Sequence, residues 1–483
     1  MESQLIIDNQ TVAAKSGATF SRKHPDSGEV ITNAAAGGVE DAMAAVDSAQ
    51  MAFLSWRHSA PSERRRLLLK AADVLESKTP QFIEVMAAEV GAAALWAGFN
   101  VHLAANLFRE AAGMVTQIQG ETIPTDKPGA LSMTVRQPVG VVLSIVPWNG
   151  PVVLAARAIA YPIACGNTVV FRASEASPKT HLLVADALVE AGFPPGVLNV
   201  VTNAPQDAPE VIDALIAHKA VRRINFTGST RVGRIIAQKA ATHLKRCLLE
   251  LGGKSPQVVL DDANVDEAVK AAVFGSFLYQ GQICMSTERL VVDEAVADEF
   301  VAKFSARAKE LVMGDPRVNP GCVIGPMVAS ESGTRLNAMI EDALSKGAVL
   351  ACGGKANGAV MSATIVDHVK PGMTIYSDET FGPITTVVRV KGVEQAVAVA
   401  NDSDYGLSAA VFGRDVTRAL DVAMRIESGS VHVNGSTVQN EAQAPYGGTK
   451  HSGYGKFDGR AVIDEFTELT WITIEPSVQQ YPV

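Results

Sequence analysis

The chain has 483 residues, with 42 Lys plus Arg against 51 Asp plus Glu and a formal net charge of −9. At roughly 150 residues per domain, that length predicts about three units or two large ones, and the acidity argues against general binding of a phosphate backbone or any nucleic acid. With 47% hydrophobic and 19% charged residues, the composition is that of a folded chain with a sizeable core, not a disordered one. Five scattered cysteines (Cys165, Cys247, Cys284, Cys322, Cys352) offer neither a disulfide framework nor metal-ligand spacing, so no metal site is expected. The opening MESQLIIDNQ has no basic segment followed by an apolar run, and a reducing cytoplasmic compartment is the expectation.

In chain order, residues 40–115 read as helical, with ERRRLLLKAADVLES as the clearest amphipathic stretch. The uncharged run 137–156 has the length of a membrane span. Pro138, Pro147 and Pro151, with Gly150 between the last two, divide it into strand, turn and helix instead. Strand–helix alternation follows: strand 140–146, helix 151–164, strand 167–171, then a helix capped by Ser177, opened by Pro178 and stopped at Gly192. Strands at 197–201 and 222–226 are each followed by a helix, at 209–218 and 230–241. After residue 250 the pattern resumes, with strands at 257–260, 289–293, 385–390 and 408–413 and helices at 265–278, 297–312, 393–401 and near 416–427. This alternation predicts two doubly wound α/β domains. The alternating TELTWITI (467–474) reads as a strand without a neighbour in sequence, which suggests pairing with another subunit.

Five segments carry candidate chemistry. FTGSTRVG (226–233) is a strand–turn–helix whose free backbone N–H groups suit a pyrophosphate; Gly228 permits close approach and Gly233 tight helix packing. In FRASEASP (171–178), Glu175 is placed to accept from ribose hydroxyls and to repel a 2′-phosphate. Cys284 in YQGQICMSTERL sits among small polar residues, as a nucleophile would. Glu250 in CLLELGGKSP is a strand-end acid, suited to general base work if desolvated. Asn149 in PWNGP is an amide at a strand-to-helix turn, able to donate to an oxyanion. Each has a plain structural reading that outweighs the chemical one when taken singly: a glycine turn, a helix-start acid, a packing cysteine, a strand-end charge, turn chemistry. It is their joint order that points to chemistry.

PWN, FTGSTxxG, ELGGKSP, GQxC, ETFGP and PYGGxKxSGxG, in that order, closely resemble the aldehyde dehydrogenase superfamily over nearly the whole chain. The resemblance implies Cys284 as nucleophile, Glu250 as general base and Asn149 as oxyanion donor. It implies a cofactor site for NAD, with NADP less favoured because of Glu175, formed by Trp148, Arg172, Glu175, Thr227, Gly228, Ser229, Gly233, Glu379 and Phe381. It also implies an NAD-binding domain from 1–118 and 139–250, a catalytic domain from 251–450, a small β arm from 119–138 and 466–483, and a homodimer or homotetramer. The pattern is broken at several positions. Arg172 stands where Lys is usual, Tyr446 turns PFGG into PYGG, and Ala158 and Phe457 replace a Lys and a Glu that form a proton path in many relatives.

Two further departures bear on substrate. Gly150 and Arg157 stand where relatives acting on simple aldehydes often carry aromatic rings, which opens space and adds a guanidinium. With Trp96, Phe99 and Tyr446 as an aromatic wall, LWAGFN and Arg157 resemble the branch that acts on aromatic aldehydes of the salicylaldehyde, vanillin and benzaldehyde type. In the competing reading, Trp96 and Phe99 are core residues and Arg157 is an ion-pair partner. A broad or aliphatic aldehyde dehydrogenase, a CoA-acylating enzyme and a non-catalytic ligand binder remain as alternatives.

Overall fold

The computed structural model describes residues 1–475 and Tyr481. Residues 476–480 and 482–483, the end of the expected C-terminal arm segment, lie outside the described residues. Two sheets organise the chain. The first has five parallel inner strands in the order Arg246–Glu250, Val221–Thr227, Val141–Ile145, Thr168–Arg172 and Leu198–Val201. Antiparallel edges come from far along the chain, Gly453–Tyr454 on one side and Leu5–Ile7 with Gln10–Val12 on the other. Because successive side chains point to opposite faces, Val142, Val169 and Phe171 enter one core while Val141, Leu143 and Val170 enter another. Burial on both faces explains why these strands read as continuous apolar runs.

The second sheet runs in the order Val349–Cys352, Thr364–Asp367, Ile384–Val390, Arg289–Asp293, Pro256–Val259, Ser408–Phe412, Ser430–Val433. It is parallel apart from its first strand, and it too has a core on each face. The expected helices are present at 265–278 and 393–401, as Val265–Phe277 and Gly392–Asn401. The helix expected near 416–427 stops at Met424, which leaves room for the unforeseen strand Ser430–Val433.

The segment with the length of a membrane span is a strand, a turn and the helix Pro151–Ala164, which is buried on every side. Burial all round accounts for its lack of charge up to Arg157. Pro162 has no N–H to give the carbonyl four residues earlier, and that carbonyl, on Ala158, instead accepts from the Ser144 hydroxyl at 2.8 Å. Among the described residues, no helix is long and apolar enough to cross a membrane.

Two sequence expectations are corrected. Ser177 does precede the helix Pro178–Ala191, but its hydroxyl makes no cap bond. The buried Glu89 carboxylate takes that place, accepting from the backbone N–H groups of Lys179 and Thr180 at 2.9 and 3.0 Å. The strand Thr467–Ile474 does not lack a partner within the chain. It pairs antiparallel with Leu131–Pro138, more than 300 residues away, to form a two-stranded arm.

The arm is rooted through Asn167. Its side-chain amide donates to the carbonyls of Pro162 and Phe466 at 3.0 and 2.9 Å and accepts from the Gly140 N–H at 3.0 Å. All of this is buried, so Asn167→Ala strands several polar groups. The expected loss is about 1–3 kcal/mol, read as a lower urea midpoint with an unchanged slope.

Candidate active site

Parallel strands deliver loops to a single edge, and ligands of such sheets gather at the carboxyl ends of the strands. Here Thr227 lies in register with Glu250, and Phe226 with Ile145. Three adjacent strand ends therefore present Glu250, the Thr227–Ser229 turn and the Trp148–Asn149–Gly150 turn side by side. Cys284 arrives from the second sheet. It follows the helix Val265–Phe277 and the turn Leu278–Gly281, in which Tyr279 and Gln280 take left-handed backbone angles (φ 49° and 54°). That conformation is costly away from glycine, and it is held by bonds from the Gln280 side chain to the Gly91 and Pro326 carbonyls at 3.1 and 2.9 Å.

Two cavities meet at this cysteine. One, of about 290 Å³, is lined by Trp148, Asn149, Thr227, Gly228, Ser229, Glu250, Cys284, Glu379 and Phe381, among others. The other, of about 220 Å³, is lined by Trp96, Phe99, Asn149, Gly150, Arg157, Cys284, Asn440 and Tyr446, with apolar side chains between them. Cys284 and Asn149 belong to both walls. In the second cavity Trp96 stacks between Phe99 and Tyr279, with centroids 5.5 and 5.1 Å apart, and its indole N–H donates to the Asn149 carbonyl at 2.9 Å. The Asn149 amide donates to the Gln282 carbonyl at 2.9 Å.

A short polar chain crosses the junction. The Cys284 Sγ lies 3.1 Å from the Tyr446 hydroxyl, which donates to Glu250 Oε1 at 3.2 Å. Burial pushes the Glu250 carboxyl up to about 7, against the pull of Cys284, Arg157 and Tyr446. Burial, and then the Glu250 carboxylate, hold the Cys284 thiol well above its usual value. The resting sulfur is therefore held as a thiol.

Arg157 fits both of its sequence readings. It lines the second cavity with its guanidinium 4.3 Å from the centre of the Tyr446 ring, and it is locked to the buried Asp458 through Nε and Nη2 at 2.8–3.1 Å. Asp458 was not singled out from the sequence. Ala158 and Phe457 leave the usual positions uncharged, and an ion pair stands one residue away from each. One step along a helix turns a side chain by about 100°, so Arg157 faces the cavity while Ala158 faces the core.

The glycines of ELGG serve close approach. A Cβ on Gly252 would lie 2.6 Å from Glu379 Oε2, and one on Gly253 would lie 2.4 Å from the Cys284 carbonyl oxygen. Gly253 N–H donates to Glu379 Oε1 at 2.9 Å, and burial beside Glu288 lifts Glu379 to about 8. Glu288 also escaped the sequence reading. It is paired with Lys254 at 2.9 Å and accepts from the backbone N–H groups of Thr380 and Phe381 at 2.7 and 2.9 Å, which fixes the turn carrying Glu379 and Phe381. Nothing in the sequence alone joins these positions.

Gly233, Arg172 and Glu175 lie apart from the two cavity walls. Gly233 packs its helix, Thr230–Thr242, against Leu251, where a Cβ would meet Cδ2 at 2.4 Å. Ser229 caps that helix by accepting from the Val232 N–H at 3.4 Å. Arg172 and Glu175 pair with each other at 2.8 Å beyond the end of Thr168–Arg172, and Arg172 also donates to Asn203 at 2.8 Å. Among the described residues no His, Cys, Asp or Glu cluster is arranged to hold a metal ion. Because Asp458 is buried and its charge is matched by Arg157, Arg157→Ala should cost about 3–5 kcal/mol in thermal or urea unfolding. Arg157→Ala with Asp458→Ala should recover a substantial part of that loss.

Residues 11–472 match the aldehyde dehydrogenase family. The chain is 67% identical to a salicylaldehyde dehydrogenase of Pseudomonas putida, with both chains covered in full. It is 53% identical to a vanillin dehydrogenase of Pseudomonas fluorescens over 99% of each chain. The crystal structure of a salicylaldehyde dehydrogenase from Pseudomonas putida G7, complexed with salicylaldehyde, superposes with a TM-score of 0.99 at 66% identity and full coverage of both chains. With two cavities converging on one cysteine and these relatives along its whole length, the chain belongs to the aldehyde dehydrogenase family and is an oxidoreductase acting on aldehydes.

Proposed function

We propose that the protein oxidises an aromatic aldehyde of the salicylaldehyde type to its carboxylate, with NAD as hydride acceptor and Cys284 as nucleophile. The observation that carries this reading is the shared wall: Cys284 and Asn149 border both an aromatic-lined chamber and a chamber at the glycine turn. The aldehyde enters the aromatic-lined chamber, with its ring against Trp96, Phe99 and Tyr446, in the space left by Gly150 and beneath the Arg157 guanidinium. Cys284 Sγ adds to the carbonyl carbon. The oxyanion forms where the Asn149 amide and the Cys284 N–H can donate to it, and loss of one such donor typically costs ~10²–10³ in rate.

The chamber at the glycine turn suits a dinucleotide. Its wall includes the Thr227–Ser229 turn at the N-terminus of Thr230–Thr242, where free N–H groups and the helix dipole favour phosphate. Trp148, Glu379 and Phe381 line the same chamber as Cys284. When bound, the cofactor accepts the hydride. Arg172 and Glu175 would meet the adenosine ribose, and the carboxylate of Glu175, kept ionised by Arg172 despite its burial, favours a free 2′-hydroxyl over a 2′-phosphate. Glu250, buried and titrating at about 7, then draws a proton from water as the water attacks the thioester, and the carboxylate leaves. On this reading the first sheet forms the NAD-binding domain and the second the catalytic domain. The arm of Leu131–Pro138 and Thr467–Ile474, with Leu469, Trp471 and Ile474 exposed, joins subunits into a homodimer or homotetramer. Five unpaired cysteines fit a cytoplasmic location.

The test is kcat/KM across benzaldehyde, salicylaldehyde, vanillin and an aliphatic aldehyde, followed by NADH absorbance. The aromatic substrates should lead, and a flat profile would contradict the proposed chamber. Cys284→Ala should abolish NADH formation. Glu250→Gln should keep the amplitude of a pre-steady-state burst, at whatever rate it forms, and slow the turnover after it, whereas loss of that amplitude would contradict its role on water. Glu175→Ala should raise the use of NADP relative to NAD.

A further inference from the structure

We propose that Tyr446 is a catalytic residue, whose phenolic hydroxyl carries the proton of the Cys284 thiol to the Glu250 carboxylate. The proposal rests on the reading of Cys284 as nucleophile and Glu250 as base, and it answers a question which that reading leaves open. The sulfur is a thiol at rest, and a group must take its proton before attack.

The geometry gives the wire a direction. A carboxylate only accepts, so the single phenolic hydrogen is directed to Glu250 Oε1 at 3.2 Å. The lone pairs of the Tyr446 oxygen are then free to receive the S–H of Cys284 at 3.1 Å. In one concerted shift the S–H bond breaks and an O–H bond forms on Tyr446. The original phenolic O–H bond breaks, and its proton bonds to Oε1. The sulfur keeps its electron pair, nothing is oxidised or reduced, and Tyr446 is neutral before and after. A phenolate never has to accumulate, which agrees with the burial that holds this phenol well above its usual value.

The surroundings support the wire. The backbone of Tyr446 is clamped to Phe457 by two hydrogen bonds, of 2.8 and 2.7 Å. Its ring lies under the Arg157 guanidinium at 4.3 Å, and Asp458 holds that guanidinium in place. Arg157 and Asp458 are positioning residues: the cation sits where negative charge passes from Oε1 toward Sγ, and the anion fixes the cation. The charged and titratable groups facing the chain are Arg157 and Asp458 on this side and Glu379 on the cofactor side, where Glu250 raises the cost of ionising Glu379. The proton left on Glu250 must depart before that carboxylate can act on water, so the two roles of Glu250 are separated in time.

Thiol alkylation tests the relay without substrate or cofactor. The second-order rate of iodoacetamide modification of the peptide carrying Cys284 is measured against pH in the wild type, Tyr446→Phe, Glu250→Gln and the double variant. Tyr446→Phe keeps the ring and its stacking on Arg157, and a wild-type melting curve confirms the fold. At neutral pH it should react about tenfold more slowly or worse, with its rate rising only at higher pH, as for a thiol one pKa unit or more harder to ionise. Adding it to Glu250→Gln should slow the reaction no further, because groups acting as one unit are not additive. In mixtures of H2O and D2O the wild-type rate should curve, as two moving protons require, and the Tyr446→Phe rate should not. If Tyr446→Phe reacts like wild type at every pH while Glu250→Gln is slow, the relay is wrong and the base assignment stands. If Glu250→Gln is also unchanged, the pairing of thiol and carboxylate falls with it.

Discussion

One sulfur has to face two chambers at once, and much of the architecture answers that requirement. A parallel sheet can bring Glu250, Thr227–Ser229 and Asn149 to one edge, but those loops all approach from the same side. Cys284 therefore comes from the second sheet, on a turn strained at Tyr279 and Gln280, and crosses the seam between the two. Close packing there leaves no room for side chains at Gly252 and Gly253. The ELGG motif is thus a steric consequence of docking one sheet's loop against the other's strand end.

Burial creates the central electrostatic conflict. Burial at the junction strengthens every hydrogen bond made to a developing charge, and the same burial holds the Cys284 thiol well above its usual value and lifts Glu250 to about 7. The Arg157–Asp458 pair places a permanent cation beside the site and cancels its long-range charge. Such buried pairs contribute little net stability. This one is better understood as holding Tyr446 and shaping the aromatic chamber, which Arg157 and Tyr446 both line.

Much of this was legible in the sequence. The helix Pro151–Ala164 was bounded correctly because Gly150–Pro151 opens it and strand-like Asn167–Phe171 closes the interval. The first sheet follows from alternating apolar runs, and the motif order located Cys284, Glu250 and Asn149. What stayed hidden depends on contacts between residues far apart in the chain. Asp458 meets Arg157 across 301 residues, Tyr446 reaches Cys284 across 162 and Glu250 across 196. Short strands such as Leu5–Ile7 carry too few residues for a period to show. Ser177 satisfied the local cap rule, yet Glu89, a long-range partner, took the bonds.

The claim that covalent chemistry occurs at the meeting point of the two chambers is tested most directly by trapping the acyl-enzyme. Glu250→Gln enzyme would be mixed with NAD and salicylaldehyde, quenched in acid and digested, and its peptides weighed by mass spectrometry. The account predicts the mass of a salicyloyl group on the peptide containing Cys284, formed together with NADH and absent without NAD. NADH formation with that peptide unmodified, or with the acyl group on another cysteine, would contradict it.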